Sequence, residues 1–308
     1  MTASSSAVAA IDCGTNSTRL LVADGTGLEL TRLMRITRLG QGVDRENVLA
    51  PDAIVRTVGV LQEYRRTMDR FGVERIRMVA TSAVRDAENG AAFTAAAKAA
   101  VGVEPEVLSG TEEGVLAYGG ASADLDPFAG DTLVVDIGGG STEITLGRAA
   151  SVSSVSLQLG CVRLTERFLK GDPPSGAEVA ATRSAITAAL RGGEEKLPAL
   201  RDLDPARRMI GLAGTVSTLA SLKLGVAEYD AEKLHHVTIT LGEIEGMCEV
   251  LASLSNIERS GLIGMVPGRE DVLLGGALVL AEVAARYRCE QVISSEKDIL
   301  DGIVRSML

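Results

Sequence analysis

The sequence predicts an α/β fold made of two related halves. Apolar runs of strand length alternate with longer amphipathic stretches along all 308 residues, which is the pattern of a sheet covered by helices on both faces. A segment also recurs: IDCGTNSTRLLV at 11–22 aligns without a gap to VDIGGGSTEITL at 135–146, an offset of 124 residues. Asp12 matches Asp136, Gly14 matches Gly138, Ser17 matches Ser141 and Thr18 matches Thr142. Each copy reads as strand, small-residue turn, strand, so the two copies imply a duplicated domain with a cleft between the copies.

In the first half, residues 8–11, 19–23 and 28–36 read as consecutive strands. Pro51 opens an amphipathic helix to about Phe71, proline being suited to a first helical turn. Residues 75–80 read as a buried strand, 91–101 as an Ala-rich helix, 106–108 as a short strand, and a helix follows from Thr111. The pattern then restarts with strands at 132–135, 143–146 and 152–159 and helices at 161–169 and 178–190. Residues 209–212 form a strand and 215–224 a helix. Segments 238–255, 269–286 and 296–307 supply the rest, with a late strand at 291–293. The division falls at 1–124 and 125–295, with the closing helix at 296–308 available to complete the first domain.

Composition excludes several classes. No run of about 18 apolar residues occurs, so no membrane span is expected. The start, MTASSSAVAAID, has no basic segment and does not read as a secretory signal, so a cytoplasmic location is expected. The net charge of −10 argues against a surface that coats nucleic acid. Of 31 basic residues, 25 are Arg, the better bidentate partner for phosphate, so a local arginine-lined site remains open. Cys13, Cys161, Cys248 and Cys289 form no C-x-x-C pair, so neither a zinc site nor a redox dithiol is indicated. His235 and His236 are adjacent. On a strand they face opposite ways, and they are read as structural.

The repeated turns suit phosphate. A small-residue turn leaves successive backbone N–H groups pointing into one concavity, which binds anions without net positive charge. Gly138, Gly139 and Gly140 allow close approach, and Thr15, Ser17 and Ser141 add hydroxyls. Asp12 and Asp136 end apolar strands beside these turns, where carboxylates would repel a phosphate unless a cation lies between. Mg²⁺ or another divalent cation is the natural bridge, since it takes oxygen ligands and substrate phosphates.

Further motifs follow in order: TSAVRDAEN at 81–89, SGTEEGVLAYGG at 109–120, LGCVRLTERF at 159–168, GLAGTVSTLA at 211–220 and GREDVLLGGALVL at 268–280. With the two repeats, they resemble the exopolyphosphatase and guanosine pentaphosphate phosphatase (Ppx/GppA) family over nearly the whole chain, in its short, two-domain form. The resemblance implies duplicated actin-like ATPase (ribonuclease H-like) domains with the active site in the interdomain cleft, and homodimers. It also implies hydrolysis of the terminal phosphate of linear inorganic polyphosphate. Glu113 takes the role of the residue that positions or deprotonates water. Asp136 and Glu143 become metal ligands, with Asp12 a third candidate. Gly14, Thr15, Asn16, Ser17, Arg19 and Arg85 join the phosphate-binding set.

Weighed singly, Ser109-x-x-Glu112 matches a capping box, which leaves Glu113 for chemistry. Arg85 either touches phosphate or pairs with Asp86. Asn89 reads as the N-cap of the next helix. Arg19 corresponds to Glu143 in the repeat, one charge suiting phosphate and the other metal. Gly214 and Thr215 follow a strand and open a helix whose N–H groups suit an anion. Arg269, read as the start of a long helix, is a lesser candidate for distal phosphates.

Cys13 and Arg19 also satisfy C-x5-R, the cysteine-phosphatase signature. There the loop leads into a helix, however, and here it leads into RLLVA, while the repeat puts Ile137 in place of Cys13. Other readings on the same superfold are a guanosine pentaphosphate 5′-phosphatase, a sugar or acetate kinase, and a sensor that binds guanosine tetraphosphate or pentaphosphate without turnover.

Overall fold

The computed structural model describes residues 6–125, 130–148 and 151–308. Residues 1–5 of the stretch read above for a signal lie outside them. The described chain forms two compact units, Met1–Gly120 with Ile299–Leu308 and Ala121–Asp298. The sequence put the division at 124/125 and left the closing helix open.

The first unit opens with β1 (Ala7–Cys13), β2 (Ser17–Ala23) and β3 (Glu29–Ile36), an antiparallel meander. β1 is buried along its whole length, which suits AVAAIDC as a central strand covered on both faces. Next come α1 (Val43–Glu46), α2 (Pro51–Arg70), β4 (Val73–Ala80), α3 (Ser82–Asp86), α4 (Gly90–Val101), β5 (Glu106–Val107) and α5 (Gly110–Ala121). Pro51 stands in the first turn of α2, whose buried Ala53, Thr57, Leu61, Tyr64 and Met68 recur at helical spacing and form its core face. The sheet order is β3-β2-β1-β4-β5, with β4 parallel to β1 and β5 parallel to β4.

The second unit repeats this plan. β6 (Asp131–Ile137), β7 (Thr142–Arg148) and β8 (Ser151–Leu157) form the meander, and β6 is again buried throughout. Then follow α6 (Cys161–Phe168), α7 (Gly176–Lys196), β9 (Arg207–Leu212), α8 (Ala213–Leu224), α9 (Ala231–Leu234), β10 (Thr238–Thr240), α10 (Leu241–Ser253), α11 (Asn256–Ser260), α12 (Leu273–Arg286) and β11 (Gln291–Ser294). Last comes α13 (Ile299–Met307), which belongs to the first unit. The order is β10-β11-β9-β6-β7-β8, with β9 parallel to β6 and β11 parallel to β9. From the meander outward, both sheets run third, second, first, fourth and then one more parallel strand, β5 in the first and β11 in the second, where β10 adds an antiparallel edge. That shared order is the ribonuclease H-like arrangement of actin-like ATPase domains. Each unit has its own apolar core, around Ile11, Leu61 and Phe93 in one and Ile144, Leu219 and Leu278 in the other.

Two local expectations need correction and a third holds in part. Segment 238–255 divides into β10 and α10, because Thr240 and Glu243 form a capping box that starts the helix anew. The long helix containing 273–286 does not begin at Arg269. Gly268 has φ 82°, Arg269 lies in the turn that follows, and α12 starts at Leu273. Asn89 does take the N-cap position of α4, but its side chain makes no capping hydrogen bond. Its Oδ1 accepts from Leu49 N at 2.7 Å and its Nδ2 donates to Leu49 O at 2.9 Å, tying two loops together.

Candidate active site

Both hairpin tips share one backbone scheme. Gly14 N donates to Ser17 O, and Gly138 N to Ser141 O, each at 3.0 Å. The tip carbonyls are taken up by neighbouring segments. Thr15 O accepts from Gly40 N and Asn16 O from Thr37 N and Arg38 N, while Gly138 O accepts from Cys161 N and Gly139 O from Val162 N and Arg163 N. Arg163 Nε closes the second tip by donating to Gly140 O at 2.6 Å. Among the described residues, the N–H groups of Thr15, Asn16, Gly139 and Gly140 donate to nothing. The buried Asn16 amide also finds no hydrogen-bond partner there. Buried polar groups are normally satisfied, so a set left open at a glycine-rich turn marks a place for an anion. Thr15 is anchored through its hydroxyl, 2.9 Å from Ser82 Oγ.

The charges beside the two tips differ at one register position. Asp12 and Arg19 are cross-strand partners, and Arg19 Nε and Nη2 donate to Asp12 Oδ2 at 3.1 and 2.7 Å. Asp136 and Glu143 are the corresponding partners in the second hairpin, both buried. The first unit therefore holds a matched ion pair where the second holds two carboxylates side by side. Arg19 engages only Oδ2 of Asp12, while the buried Oδ1 makes no hydrogen bond, so Asp12 stays the third candidate ligand after Asp136 and Glu143. Glu143 Oε1 accepts from Ser156 Oγ at 2.6 Å, and Ser156 faces Glu143 across the β7–β8 ladder. Ser156 and Arg163 were absent from the sequence-derived set. The alternation of residues 142–157 carried a signal for Ser156, and the R of LGCVRL one for Arg163.

The remaining candidates lie where parallel strands end. In the first unit Cys13 pairs with Ala80 and Ala80 with Val107, so the carboxyl ends of β1, β4 and β5 are neighbours. The first tip, α3 and α5 follow these three ends, the usual place for a ligand in such a sheet. The α5 start is fixed by a capping box, with Glu112 accepting from Ser109 N and Oγ at 2.9 and 2.7 Å. Glu113 is 8 % exposed. Arg85 Nη1 donates to Glu113 Oε2 at 3.2 Å and to Leu108 O at 2.8 Å, while its approach to Asp86 is only 3.9 Å. Arg85 thus orients Glu113.

In the second unit Asp136 pairs with Leu212, so the glycine tip and the start of α8 are likewise adjacent. Ala213 there has φ 64°, a left-handed backbone that costs an alanine about 1–2 kcal/mol. Strain of this kind concentrates at functional turns. Arg269 is buried against this turn, since a Cβ on Gly214 would fall 1.9 Å from its Cζ. Gly160 is equally constrained, because a Cβ there would lie 2.1 Å from Gly139 O.

Two sequence readings meet different outcomes. Cys13 is buried in β1, and burial followed by the Asp12 charge pushes its thiol well above its ordinary pKa, which opposes a thiolate nucleophile. His235 and His236 do not face opposite ways. They follow α9 in a turn where His236 has φ 63°, which stacks the rings 3.8 Å apart. With Asp124 they bring ligand atoms within 4.8 Å of one another. Lys297 Nζ already pairs with Asp124 Oδ2 at 2.8 Å, however, and His235 Nδ1 accepts from Glu296 N at 3.1 Å, which leaves the His235 proton on Nε2 toward Asp124. Burial raises the Asp124 pKa, but the Lys297 and His235 hydrogen bonds outweigh it and hold the carboxyl below its usual range.

The profile of the Ppx/GppA phosphatase family matches residues 21–308. The chain belongs to that family. Exopolyphosphatase 2 of Mycobacterium tuberculosis is 43 % identical over 318 aligned positions, covering 97 % of this chain and 98 % of that protein. The crystal structure of a Ppx/GppA member from Aquifex aeolicus superimposes with a TM-score of 0.80 at 34 % identity, covering 98 % of this chain and 97 % of that one. An exopolyphosphatase-like protein gives a TM-score of 0.90 at 33 % identity, covering 98 % and 100 %. The Ppx/GppA match takes in Arg85, Glu113, Asp136, Glu143 and Gly214 but begins after the first tip. The internal repeat is what attaches Gly14, Asn16 and Arg19 to the same scheme. Among the described residues no helix is long and apolar enough to cross a membrane.

Proposed function

We propose that this Ppx/GppA phosphatase is an exopolyphosphatase, a phosphoanhydride hydrolase that removes the terminal phosphate of linear inorganic polyphosphate with the help of a divalent cation. The observation that carries the reading is the asymmetry of the duplicated hairpins. Both have unused N–H groups at the tip, but only one sets two carboxylates at the register position where the other sets an ion pair. Asp136 and Glu143 form a buried, all-oxygen donor set of the kind that suits Mg²⁺, and Ser156 orients one of the two. When bound, the cation offsets charge on the phosphate oxygens.

The chain's own groups do the remainder. Phosphoryl oxygens are the ligands assigned to the open N–H groups of each tip, Thr15 and Asn16 in one unit and Gly139 and Gly140 in the other, with the Asn16 amide and the Ser17 and Ser141 hydroxyls assisting at their own tips. Glu113 accepts a hydrogen bond from water and takes its proton as the oxygen attacks phosphorus in line. The P–O bond to the chain breaks, giving orthophosphate and a chain shorter by one unit. Arg85 keeps Glu113 aimed between turnovers. Positioning and electrostatics supply most of the acceleration, as in phosphoryl transfer generally.

The same reading carries Mg²⁺ as the cation and a homodimer as the working form, which sedimentation of the purified chain tests. A cytoplasmic setting fits four cysteines that are all buried and unbonded. The deciding experiment is phosphate release from linear polyphosphate with matched Mg²⁺ and EDTA arms, and guanosine pentaphosphate as a parallel substrate. Release from polyphosphate that EDTA abolishes supports the proposal. Release only from guanosine pentaphosphate, phosphate transfer from ATP to an acceptor, or guanosine tetraphosphate binding without any release would each replace it.

A further inference from the structure

A second charged cavity lies in the Ala121–Asp298 unit, away from the glycine tip. It encloses about 650 Å³ between the end of α7, the turn Pro198–Arg201, the start of β9 and the residues after α12. Arg207 and Asp131 are register partners at the starts of β9 and β6, whereas Gly138 and Gly214 follow the ends of these strands. Seven residues of β6 separate the two places, about 20 Å at the usual rise. The cavity is therefore not part of the site described above.

Its lining, among the described residues, sets five arginines against two glutamates, an excess of three positive charges on a chain whose net charge is −10. Part of this has a structural explanation. Arg286 stands in the last turn of α12, where a cation complements the helix dipole, and it grips Glu194 through Nε and Nη2 at 2.7 Å each. Arg207 is held by the carbonyls of Asp204, Tyr287 and Arg288. The others have no such account. Arg191 precedes the last turn of α7, and Arg288 lies beyond α12 on left-handed backbone with φ 52°. Among the described residues neither makes a side-chain hydrogen bond or an ion pair. Arg201 reaches Glu194 only at 3.8 Å. The Tyr287 hydroxyl, on a side chain lining the same cavity and 4 % exposed, has no hydrogen-bond partner. Five guanidinium groups around a space of ligand size outnumber the two carboxylates there, which suits a multiply charged oxyanion, and their planar forks match phosphate oxygens.

We propose that this cavity is a second anion-binding site, taking a run of contiguous phosphoryl groups through Arg191, Arg201 and Arg288. The runs could be inorganic or could belong to a nucleotide, and the test separates these. Imidotriphosphate, whose bridging nitrogens resist hydrolysis, is titrated calorimetrically into the full chain and into the Arg191→Ser, Arg288→Ser double variant, with a non-hydrolysable nucleoside triphosphate as a parallel arm. The variant should bind one equivalent fewer of imidotriphosphate than the parent, or bind it at least tenfold more weakly, with an unchanged rate of phosphate release from a short substrate. Loss of an equivalent in the nucleotide arm alone would assign the site to nucleotides and overturn the inorganic source. Equal stoichiometry and affinity in parent and variant would overturn the site itself. Arg201→Ser provides an independent loss should the double variant fold poorly. Calorimetry needs no turnover, so the outcome does not depend on the proposed hydrolysis.

Discussion

At the scale of single residues, the informative contrast is between Arg19 and Glu143, which occupy one position in two copies of a hairpin. Beside Asp12 an arginine neutralises the charge through Oδ2, leaving Oδ1 as its one open oxygen. Beside Asp136 a glutamate makes a repulsive pair that a divalent cation would relieve. Glu143→Arg would copy the first hairpin's pair into the second. We expect it to fold with a thermal midpoint at or above that of the parent and to lose roughly a hundredfold or more of its Mg²⁺-dependent phosphate release. Ser156→Ala removes the hydroxyl that orients Glu143. Its expected signature is a Mg²⁺ requirement raised about tenfold, read from metal titrations of activity, with a smaller effect at saturating metal. Asp131 serves stability. Its carboxyl is held below the ordinary range chiefly by the Arg148 hydrogen bonds, against the opposing effect of burial. A carboxyl depressed in the folded state stabilises above its unfolded pKa and loses that contribution as pH falls through its folded value. Asp131→Asn should cost about 1–3 kcal/mol near neutral pH, with the difference from the parent fading below about pH 4 in denaturant titrations.

At the scale of elements, the proposed catalytic groups are placed by how strands end. Gly160→Ala is the sharpest probe, since its Cβ would meet the backbone at Gly139 and Gly140. We expect the second tip to be displaced from the start of α6, with loss of most activity, while far-ultraviolet circular dichroism keeps the α/β signature. The strand plan and both tips were legible in sequence because a four-residue turn, 14–17, fixes its own register, which makes residues 13 and 18, and then 12 and 19, partners by counting. Glu112 was legible for the same reason, a capping box being a local pattern. Arg85 landing on Glu113 was not, because it depends on β4 and β5 pairing in parallel. Arg269 was misplaced because GREDVLL reads as one helical run, and only the left-handed Gly268 shows that the helix waits until Leu273. The facing of the two histidines was misjudged because left-handed backbone at His236 leaves no mark in the sequence.

At the scale of the whole molecule, duplication has kept one scaffold with different side chains at matching places. The proposed function assigns roles to Glu113 and Arg85 in the unit containing α5, and to Asp136, Glu143 and Ser156 in the unit containing β6. The account holds that these sets act in one step on one terminal phosphoryl group. The measurement that tests this most directly is a double-mutant cycle on the turnover number for polyphosphate, using Glu113→Gln, Glu143→Gln and their combination. Groups acting as a unit are grossly non-additive, so the double variant should be about as slow as the slower single variant. Losses that multiply across the two substitutions would mean that Glu113 and Glu143 serve separate steps, and would contradict the account.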